Sequence, residues 1–157
     1  MAKQYKKASE NNSEAFAQLT GIDGTVPPQA PELEQAVLGA LMLERDAIID
    51  VQEYVKPETF YIEEHRLIFK VIQELSFEMK AIDLYTVTER LKSQKLLQKV
   101  GGAAYLAELT QKVATAAHVE FHAKIIAQKY VQRELIRSAT EIQRRSYDEE
   151  VDVTELI

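Results

Sequence analysis

Apolar residues recur along this chain at helical steps, in separate blocks. Leu33, Ala36, Val37, Ala40 and Leu41 fall three and one apart, which predicts a one-faced helix starting at Pro31. Proline suits a first helical position because its missing N–H would have no partner there, and Glu32 and Glu34 favour the positive end of the helix dipole. Gly39 falls in mid-helix, where the absent side chain either permits close packing or is simply tolerated. A short helix is expected over Ala47–Val51 and a turn at Pro57. From Ile62 to about Met79, the positions His65, Ile68, Phe69, Ile72, Leu75 and Met79 form a second stripe. Either Asp83 or Thr86 can cap the next helix, Thr86 with Glu89 as its capping-box partner, and that helix ends near Ser93. Gly101 and Gly102 break the chain before a helix over Ala103–Val113.

The last helix, Val119 to about Arg145, contains neither glycine nor proline and carries two apolar stripes. One is Val119, Ala123, Ile126 and Tyr130; the other is Val131, Leu135, Ala139 and Ile142. A helix with two apolar faces packs one on its own domain and offers the other to something else. No segment alternates with a period of two and no repeat is found, so the fold class is all-α: a compact multi-helix bundle with a long C-terminal helix. Three regions follow: a polar, flexible leader over residues 1–29 with at most a short helix at Glu14–Leu19, a helical core over 30–117, and the long helix and its continuation over 118–157.

Composition narrows the function. At 157 residues the chain suffices for one buried core, and no apolar run approaches the roughly 18 residues of a membrane span. Met1–Thr25 has no apolar stretch of the signal-peptide type, and zero cysteines is compatible with a reducing cytosol, so a cytoplasmic location is expected. A net charge of −6 argues against a grip on phosphate backbones. The long helix is locally basic (Lys124, Lys129, Arg133, Arg137, Arg144 and Arg145) and an acidic end follows it, a pattern of solvated faces or of a weak contact.

The chemistry of catalysis is missing. None of the five glycines heads a phosphate-binding loop, and Gly21 and Gly24 follow no strand, so no cofactor is expected. Adjacent carboxylates such as Glu63–Glu64 and Glu149–Glu150 point in different directions on a helix, and no serine sits in a nucleophile elbow. His118 and His122 share one helix face, the spacing of a two-histidine clamp, but no third ligand is evident and no metal site is assigned. The sequence describes an interaction protein, with no catalytic residues.

Six phrases, in order, resemble the N-terminal domain of DnaB-type replicative helicases: Pro27-Pro28-Gln29, Glu32 to Gly39, His65-Arg66-Leu67-Ile68-Phe69, Ile82-Asp83 with Thr86-Val87, Gly101 to Leu106, and Lys129 with Arg133 to Ile136. The resemblance covers about residues 27–157 and implies that the long helix is the first arm of a helical hairpin, cut short at Glu155–Ile157. It further implies a piece of a longer chain whose motor domain would bind ATP and magnesium. In that family the core and hairpin pair into dimers, and three dimers form a collar that docks primase and is acted on by helicase loaders, while DNA passes through the ring. By motif match the primase-facing positions are Glu32, Tyr105, Ile136 and Ile142, and the oligomer seam is Val131, Leu135, Ala139 and Ile142. Each has a plainer reading too: Glu32 as a dipole partner, Tyr105 as core, the isoleucines as seam alone. The truncated hairpin predicts weak dimerisation or a monomer. The alternatives are the helicase-binding domain of primase, a stand-alone helical adaptor, and a small helical DNA-binding protein, which the acidity disfavours.

Overall fold

The computed structural model describes residues 26–113, 116–150 and 152–155. Among them are six α-helices: α1 (Pro31–Leu43), α2 (Ala47–Val51), α3 (Glu63–Phe77), α4 (Leu84–Ser93), α5 (Gly102–Gln111) and α6 (Val119–Ser146), with short 3-10 turns at Pro57–Thr59 and Val153–Glu155. No strand occurs among the described residues, so the all-α expectation holds. The helix expected at Glu14–Leu19 lies outside the described residues.

The chain divides into two compact units, one of Gln29–Lys129 and one combining Met1–Pro28 with Tyr130–Ile157. The boundary falls inside α6, whose residues 119–129 belong to the first unit and 130–146 to the second.

In the first unit α1 packs against α2, α3, α4 and α5. The sequence predicted a one-faced helix, but all six residues from Val37 to Met42 are buried. A helix with neighbours on several sides loses its polar face, so its periodicity understates its burial. The reason for Gly39 is also visible: a Cβ there would lie 2.2 Å from the Leu109 carbonyl oxygen and 2.7 Å from Val113 Cγ2. α1 and α5 therefore approach to a separation that no other residue permits.

Local rules set the helix ends. Asp83, not Thr86, caps α4: its carboxylate accepts from Thr86 N at 2.8 Å, and the Thr86 hydroxyl lies 3.0 Å from Asp83 N, completing the reciprocal box. α3 stops at Phe77 because Met79 adopts the left-handed conformation at φ 55°. Lys80 N then donates to Leu75 O and Met79 N to Ser76 O, the paired bonds of a Schellman end. This turn removes Met79 from the stripe the sequence had assigned it and leaves it 95% exposed. Lys95 at φ 60° repeats the device after α4, with Leu96 N donating to Leu91 O. Gly101 at φ 106° is the third left-handed residue, immediately before α5, which begins one residue earlier than expected. Across the α3–α4 corner Arg90 holds Glu78 at 2.7 Å and pulls its carboxyl down to about 2, assisted by Lys80.

Candidate partner-docking site

Two arrangements stand out among the described residues: a polar network inside the first unit and an apolar stripe on the second.

The network starts at Glu34, one turn into α1. Glu34 shares a helix face with Val37, Leu38 and Leu41, so folding carries its carboxylate into the core. There one oxygen accepts from Tyr61 N at 2.5 Å, and the other accepts from Ile62 N at 3.3 Å and lies 2.6 Å from His65 Nδ1. Ile62 precedes α3 and brings no capping side chain of its own, so a carboxylate from another helix serves the approach to α3. His65 shares the buried face of α3 with Ile68, Phe69 and Ile72, and its Nε2 lies 2.7 Å from the Tyr105 hydroxyl on α5. Gln35 Nε2 donates to the same hydroxyl at 3.4 Å, and Lys112 Nζ donates to Gln35 Oε1 at 3.3 Å.

Hydrogen-bond chemistry gives this chain a direction. An ionised carboxylate only accepts, which suits its three contacts and sets the imidazole proton on Nδ1. In the neutral ring Nε2 then accepts from the Tyr105 O–H, whose oxygen accepts from Gln35. Every member is satisfied, as burial requires. The sequence reading took Glu34 for a dipole partner and His65 for core packing. A carboxylate and an imidazole, each at an i, i+3, i+4 position of an apolar stripe, are the signal that points to a buried pair.

The expected partner-facing residues are dispersed. Glu32 is exposed on the first turn of α1, at a shallow 280 Å³ cleft lined by Ala30, Pro31, Glu32 and Leu33. Tyr105 is fully buried within the network. Both belong to Gln29–Lys129, whereas Ile136, half-buried, and Ile142, 53% exposed, belong to the second unit.

The stripe is on the second unit. At about 100° per residue, Val131, Leu135, Ala139 and Ile142 fall within an arc of about 80° on α6. Val131 is 53% exposed and Leu135 65%, and Ala139 is exposed as well. The earlier stripe on the same helix is covered at Val119, Ala123 and Ile126. Ion pairs within the helix, Arg137 with Glu134 and Arg144 with Glu141, occupy positions outside the stripe. Arg133 donates to the Pro28 carbonyl at 2.7 Å. Ile136 lies about 100° around the helix from Leu135, off the stripe. His118 and His122 sit one turn apart with ring centroids separated by 6.4 Å, and among the described residues no group of three potential ligands gathers around a metal position.

These features define a class: an all-α module with a bonded carboxylate–imidazole–phenol network in its core and an apolar stripe left exposed on its long helix. The comparisons specify it. Residues 26–128 match the family model described as DnaB-like helicase N terminal domain. The chain is 47% identical over 134 residues to the replicative DNA helicase DnaB of Rhodothermus marinus, spanning 85% of this chain and 14% of that protein. It is 42% identical over 130 residues to the replicative DNA helicase DnaB of Geobacillus stearothermophilus, spanning 82% and 29%. Against the crystal structure of the N-terminal domain of DnaB helicase from Mycobacterium tuberculosis the TM-score is 0.79 at 37% identity, covering 83% of this chain and 92% of that one. The chain therefore belongs to the DnaB-like helicase N-terminal domain family, and it spans less than a third of the length of these curated relatives.

Proposed function

We propose that this chain is the N-terminal collar domain of a hexameric replicative DNA helicase, where it supports assembly of the ring and docks primase and the helicase loader. The observation that carries the reading is the exposed stripe Val131, Leu135, Ala139 and Ile142 on a single face of α6. Burying one such side chain contributes about 1.5–3 kcal/mol, so a second copy of the helix removes an appreciable cost. Family membership supports the same reading, since the relatives are named replicative DNA helicases. In the whole protein, ATP and magnesium belong to a motor domain; the phosphate-binding pattern is missing from these 157 residues. DNA contact by this domain is weak or nil, because the chain carries a net charge of −6. Among the described residues no helix is long and apolar enough to cross a membrane, in keeping with action at a replication fork in the cytoplasm.

Docking of primase is assigned to Glu32, Ile136 and Ile142, which retain exposed or half-exposed surface. Replacing Glu32 and Ile136 together with alanine should weaken primase binding about tenfold in a calorimetric titration, the effect of losing two modest contacts. Circular dichroism should be unchanged. Wild-type affinity in the double variant would remove primase docking from Glu32 and Ile136.

A further inference from the structure

Beyond Lys129, α6 has a shielded side and an open one. Arg133, Ile136 and Thr140 are half-buried and fall within an arc of about 60° at roughly 100° per residue. Val131, Leu135, Ala139 and Ile142, on the far side, are exposed. Gln132 Oε1, at the flank of the shielded arc, is buried and accepts no hydrogen bond, so something other than water lies over it. We propose that the segment before Val26 docks in cis along this arc as a strap, with Phe16 and Leu19 against Ile136 and Thr140.

The point of entry names the occupant. Arg133 Nη1 donates to the Pro28 carbonyl at 2.7 Å, and its guanidinium stands 5.7 Å from the centre of the Tyr130 ring, which steadies it. The chain upstream of Pro28 therefore sets out from one end of the shielded arc. Met1–Pro28 also groups with Tyr130–Ile157 in one compact unit, so the leader is the stretch at hand to cover this half of the helix. Its length suffices: Arg133 to Thr140 spans about 10 Å at 1.5 Å per residue, and 25 residues precede Val26. Its chemistry fits as well. Phe16 and Leu19, three apart, present adjacent apolar side chains on the short helix that the sequence predicts there. On the arc, Thr140 donates its hydroxyl to the Ile136 carbonyl at 2.8 Å, which leaves a surface with little polar demand. Further upstream the leader carries Lys3, Lys6 and Lys7, and past the end of α6 stand Asp148, Glu149, Glu150 and Asp152, all exposed. A strap that runs antiparallel to α6 from Pro28 brings these opposite charges together. The open stripe stays free for a second copy.

The chain has no cysteine, so a single introduced thiol reports exposure cleanly. Ile136→Cys and, on the open side, Leu135→Cys are labelled with a soluble maleimide at a concentration where sedimentation shows a monomer, each rate being normalised to that in urea. Ile136→Cys should react about fivefold more slowly than Leu135→Cys, because the strap must lift before the thiol is reached. Adding Phe16→Ser and Leu19→Ser should remove that difference, leave Leu135→Cys unchanged and preserve the circular dichroism spectrum. Changing Lys3, Lys6 and Lys7 together to glutamate should act in the same direction by a smaller factor. Equal rates at positions 135 and 136, or a rate at 136 that ignores Phe16→Ser and Leu19→Ser, would overturn the strap. A rate at 136 that falls only as protein concentration rises would assign the arc to a second copy and overturn it as well.

Discussion

Within α6 the same kind of residue meets two fates. Val119, Ala123 and Ile126 are buried inside the first unit, whereas Val131, Leu135 and Ile142, a few turns on, remain more than half exposed. Their chemistry does not separate them, nor does their spacing; what differs is whether the chain itself supplies a cover. The first unit goes further and buries a carboxylate, an imidazole and a phenol in a fully bonded network. The first unit pairs that buried carboxylate, imidazole and phenol internally and leaves its exposed apolar residues, such as Phe77 and Tyr85, scattered, whereas the second leaves a continuous apolar stripe uncovered on one helix face. In a protein of this family, the uncovered stripe is where function is sought.

Breaking the closed region should have the largest effect. Glu34→Ala strands Tyr61 N, Ile62 N and His65 in the core, and loss of one partner of a buried pair costs roughly 3–5 kcal/mol. Urea unfolding should show this as a lower midpoint at unchanged slope. A loss below about 1 kcal/mol would mean that the network contributes little.

The open region should behave in the opposite sense. Leu135→Gln should leave the thermal midpoint within about 2 °C, since a surface change in a helix costs little. It should also weaken self-association about tenfold in sedimentation runs across a range of concentrations. A melting point that falls as it would for a core leucine would show the stripe to be covered by its own chain.

The smallest change sharpens the comparison from a third position. Met79 holds a left-handed conformation that glycine adopts freely, and its side chain is almost wholly exposed. Met79→Gly should therefore stabilise the domain by about 0.5–1 kcal/mol while leaving self-association unchanged. Destabilisation would show that the exposed side chain makes a contact that matters.

Much of this was legible in the residues. Helical spacing marked α1 to α6, and Asp83, one of two cap candidates, and the Gly101–Gly102 pair marked two of the boundaries, because such signals act between residues close in sequence; that Asp83 is the cap and boxes with Thr86 was the structure's to decide. The α6 stripe was legible for the same reason. The network was not: Glu34, His65 and Tyr105 are 31 and 40 residues apart in turn, and nothing local announces that they meet. Glu32 and Glu34 look alike as acids of a first helical turn, yet one is exposed and the other is buried.

The sequence alone determined the helices, the all-α class and the second apolar stripe of α6, since each depends on the 3.6-residue period and on short-range capping. Only the tertiary structure decided that Glu34 is an internal ligand of two backbone amides, that Gly39 admits the Leu109 carbonyl, and that Tyr105 faces inward. These depend on which helices meet and how closely, and a chain's own periodicity fixes the faces of its helices without naming their neighbours.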